Sequence, residues 1–322
     1  MVCGKSWSPE PDTLGSRRVS IVVSGASGAF GRAAAASLLE RVGPANLILL
    51  SRTPAKLADF AARGATVRYA DFDEPAGLAS AFAGGERMLL ISTARVGTRV
   101  GQHRNAVEAA VAAGVRHIVY TSLLGVAAPG NPAIVKADHR ATEEIIEASG
   151  AIWTFLRDSQ YAEAIAGAMV IPALQMGGRK PDNCGDGRVA FVSRDDCVAV
   201  AAAVLAEGGH ENQAYDLTGP ELFTIPQAMS LAGHVAGRPI VVDQVSDEEM
   251  FAYFDSLGVP RHASDIAPDG PIPWSSDDMV TFGQSIREGY FDALTNHVER
   301  ITGRPPRTLR DVMMQFKSSW PQ

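Results

Sequence analysis

The chain is poor in cysteine, and it has no excess of basic residues. Cys3, Cys184 and Cys197 are odd in number and show no paired spacing. This pattern argues against a disulfide framework and favours a reducing cytoplasm. The 29 Lys and Arg residues are outnumbered by 36 Asp and Glu residues, and the formal net charge is −7. Because neutralising phosphates requires a basic surface, nucleic acid is not expected as a partner.

The sequence also lacks the patterns of several other protein classes. No apolar run is long enough to cross a membrane, so no membrane association is expected. Residues 1–18 have no apolar core of a signal peptide, and we expect them to form a flexible arm. The seven histidines include no His-x-x-x-His pair, which predicts no metal site. There is no Gly-x-Ser-x-Gly turn for an acyl-transfer serine. Cys184 lies in a polar loop and is a candidate reactive thiol, although it has no evident activating neighbour beyond the basic residues Arg179 and Lys180.

Short apolar runs alternate with helical stretches through the first half of the chain. The expected strands are residues 19–24, 46–50, 66–70, 87–92, 116–121 and 152–156. Thr53 and Pro54 predict a helix start, with Thr53 as its N-cap. Continuous apolar strands separated by helices are typical of a parallel sheet covered on both faces. The predicted fold class is therefore α/β, a doubly wound parallel sheet of the Rossmann type.

The second half has a less regular pattern. Glycine and proline clusters follow residue 175, and residues 226–320 are mostly helical with proline breaks. We expect a nucleotide-binding domain over residues 19–160 and a smaller, mostly helical substrate lobe over 161–322. Residues 190–220 are expected to return to the first domain, with 214–217 as a further strand.

The most informative motif is the glycine turn at residues 25–31. An apolar strand leads into Gly25, Gly28 and Gly31, and an alanine-rich helix follows. Such glycines let the backbone turn tightly and approach a pyrophosphate, which the N–H groups at the helix start then bind. The turn predicts dinucleotide binding by Gly25, Ser27, Gly28, Ala29, Phe30 and Gly31.

The residues after the second strand indicate which dinucleotide is preferred. An NAD site usually carries an Asp or Glu about twenty residues after the glycines, whereas this chain has Arg52 there. A guanidinium binds a 2′-phosphate well, and Lys56 supplies a second charge, so NADPH is predicted over NADH. The alternative is that Arg52 is a solvated surface residue. Asp71 is expected near the adenine, unless Asp71 and Asp73 cap the next helix.

With these residues placed, the chain resembles the NmrA-like, atypical branch of the short-chain dehydrogenase/reductase superfamily. The resemblance is carried by residues 25–31, 51–56, 69–73, 109–122, 139–143 and 215–220. Within that family, the chain looks most like the type 2 quinone oxidoreductases and triphenylmethane reductases. The isoflavone and lignan reductases are more distant.

The chain departs from the superfamily's Tyr-x-x-x-Lys pair, because Leu124 stands four residues after Tyr120. Alcohol dehydrogenation through a Tyr phenolate is therefore not expected, whereas reduction of an already electrophilic acceptor is. The resemblance implies that His139 donates a hydrogen bond or proton to the reduced acceptor, and the usual pKa of histidine suits that role. Lys136 shares a helix face with His139 and is a second catalytic candidate. Both residues have a structural or surface alternative.

The resemblance also suggests further contacts. Ser92, Thr93, Thr121 and Ser122 end two neighbouring strands, where they either flank the nicotinamide or bond the local backbone. Asn105 is expected on the cofactor side, and His103 is expected to be structural. Asp158, Tyr161 and Trp274 are candidates for the substrate site, and Phe251 is a weaker one.

Three functions remain open. The first is an NADPH-dependent reductase of a quinone or related aromatic acceptor. The second is a lignan-type benzylic ether reductase. The third is a non-catalytic redox sensor that binds the dinucleotide and acts through a protein partner. A homodimer is possible in each case.

Overall fold

The computed structural model of the protein describes residues 19–266, 272 and 274–321, so the expected arm over residues 1–18 lies outside the described residues. The strands in this part of the chain are β1 (Ile21–Val23), β2 (Leu47–Ser51), β3 (Thr66–Tyr69), β4 (Arg87–Leu90), β5 (His117–Leu123), β6 (Ile152–Asp158), β7 (Arg179–Asp182), β8 (Arg188–Val189), β9 (Gln213–Leu217), β10 (Phe223–Thr224) and β11 (Val241–Gln244).

Helices connect these strands. They are α1 (Ala29–Val42), α2 (Ala58–Ala62), α3 (Leu78–Phe82), α4 (Arg99–Ala112), α5 (Ile134–Ala148), α6 (Ala162–Ala164), α7 (Val170–Gln175), α8 (Arg194–Ala206), α9 (Ile225–Ala236), α10 (Asp247–Ser256), α11 (Ser276–Arg287), α12 (His297–Thr302) and α13 (Leu309–Phe316). A π-helical turn, Ile165–Met169, joins α6 to α7, and short 3₁₀ turns cover Pro44–Asn46, Pro54–Leu57, Pro75–Gly77, Ala263–Asp265 and Lys317–Ser319.

Seven strands form one sheet in the order β3-β2-β1-β4-β5-β6-β9, and all of its neighbours pair in parallel. The apolar runs of β1 and β2 are fully buried, as expected for strands with helices on both faces. The predicted doubly wound α/β fold is confirmed. The strand order reverses between β1 and β4, and a ligand cleft is expected beyond the carboxyl ends of these strands.

Each face of the sheet has its own hydrophobic core. On one face, Leu38 of α1 and Val204 of α8 pack against the sheet. On the other face, Phe82 of α3, Val107 of α4 and Ile146 of α5 do so. The helices on these two faces therefore hold the strand ends in place around the cleft.

The second half of the chain contributes to the sheet and also forms cores of its own. β9 pairs with β6, and α8 packs against α1. A separate core contains Met229 of α9 and Val312 of α13, and a small cluster contains Phe254 of α10 and Val280 of α11. β8 pairs antiparallel with β10, and β7 pairs parallel with β11. The division at residue 160 into a nucleotide domain and a substrate lobe stays a prediction.

Thr53 occupies the N-cap position and Pro54 follows at the first position, as predicted, but the Thr53 side chain does not act as a cap. The Thr53 side chain accepts no capping hydrogen bond, and its backbone N–H donates to Ser51 Oγ at 2.8 Å. The helix begins with the 3₁₀ turn Pro54–Leu57, and the α-helical part starts only at Ala58. The tighter 3₁₀ turn after Thr53 accounts for the missing cap geometry.

Helix α5 is anchored to the sheet by a buried carboxylate. Glu143 is fully buried and accepts two hydrogen bonds from the Arg157 guanidinium, at 2.9 and 2.8 Å. Ser122 Oγ donates to the same carboxylate at 2.7 Å. Residues at the ends of β5 and β6 therefore fix the position of α5 along the strand direction.

Replacing Glu143 tests this anchor. Glu143→Ala is expected to lower the free energy of unfolding by about 3 kcal/mol, because it leaves a partly buried guanidinium without its partner. The measurement is urea denaturation followed by circular dichroism. The matched control is Glu144→Ala, which removes an exposed partner of Arg140 on the same helix and should cost less than about 0.5 kcal/mol. Equal losses for the two variants would contradict the anchor.

Candidate functional site

The glycine turn brings the start of α1 against the end of β1. Gly25 has a φ of +56°, which disfavours a side chain there. A Cβ at residue 31 would lie 2.3 Å from the Gly25 carbonyl oxygen and 2.8 Å from Ala26 Cα, so only glycine fits. Gly28 occupies the N-cap position of α1, and no side chain there accepts a hydrogen bond from the first N–H groups of the helix. The first turn also has no acidic residue. The first backbone N–H groups of α1 therefore suit an anionic ligand.

A cleft of about 450 Å³ opens in front of this turn. Its lining combines the loops after β1, β2, β3 and β4, where the strand order reverses. The lining residues are Ser24, Gly25, Ser27, Gly28, Leu50, Ser51, Arg52, Thr53, Lys56, Ala70, Asp71, Phe72, Ile91, Ser92, Thr93, Ala94, Arg95 and Gln102.

Eight of the predicted cofactor residues lie together in this cleft. They are Gly25, Ser27, Gly28, Arg52, Lys56, Asp71, Ser92 and Thr93. Ala29, Phe30 and Gly31 form the adjacent first turn of α1, where the Phe30 side chain is buried in the core. None of these three residues lines the cleft, and their binding of the cofactor stays a prediction.

Three cations line the cleft, Arg52, Lys56 and Arg95, and none has an ion pair within the described residues. Arg95 donates to the Ile266 carbonyl at 3.1 Å, whereas Arg52 and Lys56 stand on the loop after β2. Arg32 is nearby, but it pairs with Asp59 and donates to the Lys56 carbonyl. The Asp71 carboxylate accepts from the Asp73 backbone N–H at 3.0 Å and caps no helix. The charges of Arg52 and Lys56 and the uncapped start of α1 fit a dinucleotide that carries an additional phosphate.

Three predicted cofactor residues use their polar groups inside the protein instead. Asn105 Nδ2 donates to the Phe72 carbonyl at 2.8 Å, and Ser122 Oγ donates to Glu143. Thr121 Oγ1 accepts from the Ser92 backbone N–H at 2.8 Å. None of the three lines the cleft. Their side chains brace the loops and strand ends that form the cleft, and their direct contact with a cofactor stays a prediction.

Buried contacts connect the cleft to His139. His103 Nε2 accepts from the backbone N–H of Thr93, at 3.1 Å, and its ring contacts Tyr120 edge to face with centroids 5.5 Å apart. The Tyr120 hydroxyl lies 2.8 Å from His139 Nδ1. Because Nε2 of His103 is an acceptor, its proton must lie on Nδ1, which faces Thr142 Oγ1 at 2.9 Å. His103 is thus structural, as expected, and it fixes the loop after β4.

Burial gives His139 a pKa unlike the usual pKa of histidine. Burial lowers its pKa well below 6.5, and the charge of Arg99 and the ring of His103 lower it further. Burial also lowers the pKa of His103 to about 3 and raises the pKa of Tyr120 above its usual value. In the folded protein His139 is a neutral imidazole, which is suited to hydrogen bonding and not to carrying a positive charge.

Lys136 lies one turn before His139 on α5, as expected, and is partly exposed. Its side chain has no hydrogen bond or ion pair among the described residues, and it does not line the cleft. Nothing in this arrangement distinguishes Lys136 from a surface lysine.

The predicted substrate residues also lie outside the cleft lining. The Tyr161 hydroxyl donates to Asp158 Oδ2 at 2.6 Å, and burial raises the Asp158 pKa to about 7. Trp274 contacts Phe254 edge to face, and the Phe251 ring lies 3.8 Å from the Arg261 guanidinium carbon. The structure therefore places Asp158 with Tyr161 and assigns Trp274 and Phe251 to the packing around α10 and α11.

Cys184 is not a reactive thiol. It is buried, and burial together with the nearby Asp182 carboxylate raises its pKa well above 9. A thiol that stays protonated is a poor nucleophile.

Sequence reasoning missed three buried charged residues near His139. Arg99 Nε donates to the Thr93 carbonyl at 2.7 Å, and Asp138 Oδ2 accepts from the Gly97 N–H at 2.9 Å. Asp278, on α11, is buried beside both of them, and its pKa is raised to about 6 by burial. Arg99 and Asp138 stand on helices whose period places them on the inner face, but no local signal marks Asp278.

No group of three or more His, Cys, Asp or Glu side chains in residues 19–266 and 274–321 is arranged to hold a metal ion. In the same part of the chain, no helix combines the length and the apolar character needed to span a membrane.

Gly31→Ala tests the close approach at the glycine turn. The added Cβ would meet backbone atoms, so the turn must shift, and NADPH affinity is expected to fall about tenfold or more, since overpacking costs roughly 1–3 kcal/mol. The measurement is NADPH titration by fluorescence. The matched control is Gly101→Ala on α4, where a Cβ would meet nothing within 4 Å. Wild-type affinity in Gly31→Ala would refute this role.

Comparisons with known proteins agree with this geometry. A family model described as NAD(P)H-binding matches residues 25–208. Quinone oxidoreductase 2 of Escherichia coli is 34% identical over 90% of this chain and 96% of its own length. The NAD(P)H azoreductase of Xenophilus azovorans is 26% identical over 90% of this chain and 96% of its own.

Solved structures show the same relationship. The E. coli NADPH-dependent quinone oxidoreductase complexed with NADPH has a TM-score of 0.81 at 32% identity, covering 92% of this chain and 99% of its own. The Citrobacter triphenylmethane reductase complexed with NADP(H) has a TM-score of 0.79 at 29% identity, covering 92% and 100%. The protein is an NAD(P)H-dependent oxidoreductase, and it belongs to the NAD(P)H-binding, NmrA-like family.

Proposed function

We propose that the protein is an NADPH-dependent reductase that delivers hydride to a quinone or a related electrophilic aromatic acceptor. The observation that carries the proposal is the buried connection from Thr93, in the cleft, through His103 and Tyr120 to His139. His139 itself is not among the residues that line the cleft, so this connection is what links its neutral imidazole to the cofactor site in a chain without a Tyr–Lys pair. The relatives support this acceptor class, because their names refer to quinones, azo compounds and triphenylmethane dyes.

The cleft residues divide into three groups along the cofactor. The N–H groups of Ala29 and Phe30 would bind the diphosphate, and Arg52 with Lys56 would bind the 2′-phosphate. Ser92 and Thr93 would lie at the nicotinamide end. When bound, NADPH supplies the hydride.

His139 acts as a hydrogen-bond donor to the oxygen that gains negative charge. The Tyr120 hydroxyl lies 2.8 Å from Nδ1, and the proposal takes it as the donor of this bond, which leaves the single hydrogen of the neutral imidazole on Nε2. A preorganised donor in a buried environment stabilises developing charge strongly. The remaining proton comes from solvent, because Tyr120 holds its proton tightly and His139 carries no spare one. The cytoplasmic location and the homodimer stay predictions.

Anaerobic NADPH oxidation against quinones, enones, azo dyes and benzylic ethers tests this function. Quinones are expected to be reduced, and His139→Ala should lower kcat about a hundredfold with unchanged NADPH affinity, the usual effect of losing one such donor. No step in kcat near pH 6.5 is expected from His139, since its imidazole is already neutral there. The matched control is His210→Ala, which removes another histidine that lies 3.0 Å from a tyrosine hydroxyl, outside the cleft.

The outcomes of this assay separate the candidate functions. Turnover of benzylic ethers alone would assign the lignan-type reduction instead. Tight NADPH binding without reduction of any acceptor would contradict the reductase and favour a sensor that acts through a protein partner.

Arg52→Ala tests the preference for NADPH. A hydrogen bond to a charged group contributes roughly 1.5–3 kcal/mol. Losing a guanidinium that binds the 2′-phosphate should therefore lower kcat/KM for NADPH about tenfold to a hundredfold. The kcat/KM for NADH should stay unchanged, because NADH has no 2′-phosphate. The matched control is Arg63→Ala, an exposed arginine paired with Glu40. An equal loss with both cofactors would refute the assignment.

A further inference from the structure

The loop between β4 and α4, residues 91–98, brings a third cation to the cleft. Among the described residues, the Arg95 guanidinium makes one hydrogen bond, from Nη2 to the Ile266 carbonyl at 3.1 Å. Its Nε is buried and has no acceptor in the same part of the chain. A guanidinium has five N–H donors, and a buried donor without a partner is costly. The donors of Arg95 that the fold does not pair are therefore available to a ligand in the cleft.

A second polar group of the same loop is also unpaired. The Thr93 Oγ1 is buried and has no hydrogen-bond partner among the residues that the structure describes. Thr93 and Arg95 are two residues apart, and both line the cleft. A hydroxyl donates one hydrogen bond, and the guanidinium fork can donate two parallel ones to a carboxylate. The loop therefore presents donors that suit an anionic group.

Buried side chains hold the backbone of this loop on both sides of the arginine. The Thr93 N–H donates to His103 Nε2 at 3.1 Å, and the Thr93 carbonyl accepts from Arg99 Nε at 2.7 Å. Further along, the Gly97 N–H donates to Asp138 Oδ2 at 2.9 Å. These bonds fix the loop without using the guanidinium of Arg95. A ligand does not have to order the loop, which favours binding.

The place of Arg95 in the sheet separates it from the other two cations. Arg52 and Lys56 follow β2 and Arg95 follows β4, and β1 with its glycine turn lies between these strands. In the proposed function, Arg52 and Lys56 bind the 2′-phosphate, and the N–H groups of α1 bind the diphosphate. Arg95 instead follows Thr93, at the nicotinamide end, and contacts Ile266 in the half of the chain expected to form the substrate lobe. This position suits a group of the acceptor better than a phosphate of NADPH.

The charges of the cleft are consistent with an anion beside Arg95. The formal net charge of the chain is −7, yet the described lining residues include three cations and one carboxylate, that of Asp71. Asp71 follows β3, which β2 and β1 separate from β4. We propose that Arg95, with the Thr93 hydroxyl, binds a carboxylate or sulfonate of the acceptor and makes the enzyme selective for acidic aromatic acceptors. The inference rests on the proposed function and specifies its substrate class.

The test compares 1,4-naphthoquinone with its 2-sulfonate in the full-length protein saturated with NADPH. Each variant is compared with the wild type on the same quinone, so that the intrinsic reactivities of the two quinones cancel. Arg95→Gln should raise KM for the sulfonate about tenfold or more, because a hydrogen bond to a charged group is lost. It should leave KM for the neutral quinone within about twofold. Arg95→Lys keeps the charge without the fork, and its KM for the sulfonate should lie between those of the wild type and Arg95→Gln.

The matched control is Arg104→Gln, which removes the charge of an exposed arginine on α4 that does not line the cleft. Neither KM should change by more than about twofold. If Arg95→Gln does not fold, Thr93→Val provides a second test, since it keeps the side-chain shape but removes the hydroxyl. It should raise KM for the sulfonate about threefold and leave that for the neutral quinone unchanged, and an equal effect on both quinones would contradict the proposal.

NADPH titration by fluorescence distinguishes the two sources of an anion. The NADPH affinity of Arg95→Gln should stay within about twofold of the wild type. A loss of NADPH affinity, with both quinones equally affected, would overturn the proposal and assign Arg95 to a phosphate of the cofactor. An equal rise of both KM values at unchanged NADPH affinity would also overturn it, since Arg95 would then only support the loop through Ile266.

A binding measurement that needs no turnover separates this inference from the reductase function. Naphthalene-2-sulfonate, which has no quinone to reduce, is titrated by calorimetry into protein saturated with NADP⁺, so that the phosphate sites are filled. It should bind the wild type and Arg104→Gln alike, and Arg95→Gln about tenfold more weakly. If the wild type reduced no acceptor, this difference would still support the anion site and only the reductase would fail. Equal affinity in the wild type and Arg95→Gln would overturn the role of Arg95 even in an active enzyme.

Discussion

The carbonyl oxygen of Gly25 lies so close to the first turn of α1 that no side chain fits at residue 31. This contact places the N–H groups of α1 at the carboxyl end of β1. Two more hydrogen bonds align the neighbouring strands: the Ala26 N–H donates to the Leu50 carbonyl of β2 at 2.9 Å, and Ser24 Oγ accepts from the Ile91 N–H after β4 at 2.9 Å. The cleft therefore depends on backbone geometry at one turn, and the loop that carries Arg52 is held to the same turn by these bonds.

Burial determines which chemistry the side chains beside the cleft perform. A histidine in water changes charge near neutral pH, but desolvation holds His103 and His139 neutral and keeps Tyr120 protonated. A Tyr phenolate mechanism is thus disfavoured by the environment of Tyr120 as well as by the missing lysine. The remaining side chains are neutral hydrogen-bond donors and acceptors with fixed directions. Such groups suit a substrate that is electrophilic enough to accept hydride without further activation.

The fold was largely predictable because its signals are local. The strands of the parallel sheet are apolar runs between helices, and each run found in the first half of the sequence became a strand. The helix between β3 and β4 starts as the 3₁₀ turn Pro75–Gly77 and becomes α-helical only at Leu78, a boundary that no local signal marks. The second half was less predictable because β8 and β10 have two residues each, and their pairing is decided by tertiary contacts and not by a sequence period.

The site was predictable only where the backbone or an unpaired charge defines it. The sequence alone identifies the glycine motif and the basic residues Arg52 and Lys56 as cofactor candidates. For a hydroxyl or amide at a strand end, the sequence does not show whether the side chain faces the cleft or the interior. Thr121, Ser122 and Asn105 all turned inward, because buried N–H, carbonyl and carboxylate groups needed partners. The same requirement explains α5. A helix that begins Ala133-Ile134-Val135 looks uncapped in sequence, but its N–H groups still have to be satisfied. The Ile134 N–H donates to Thr281 Oγ1 of α11, 147 residues later in the chain, and no pattern within α5 could have predicted that partner.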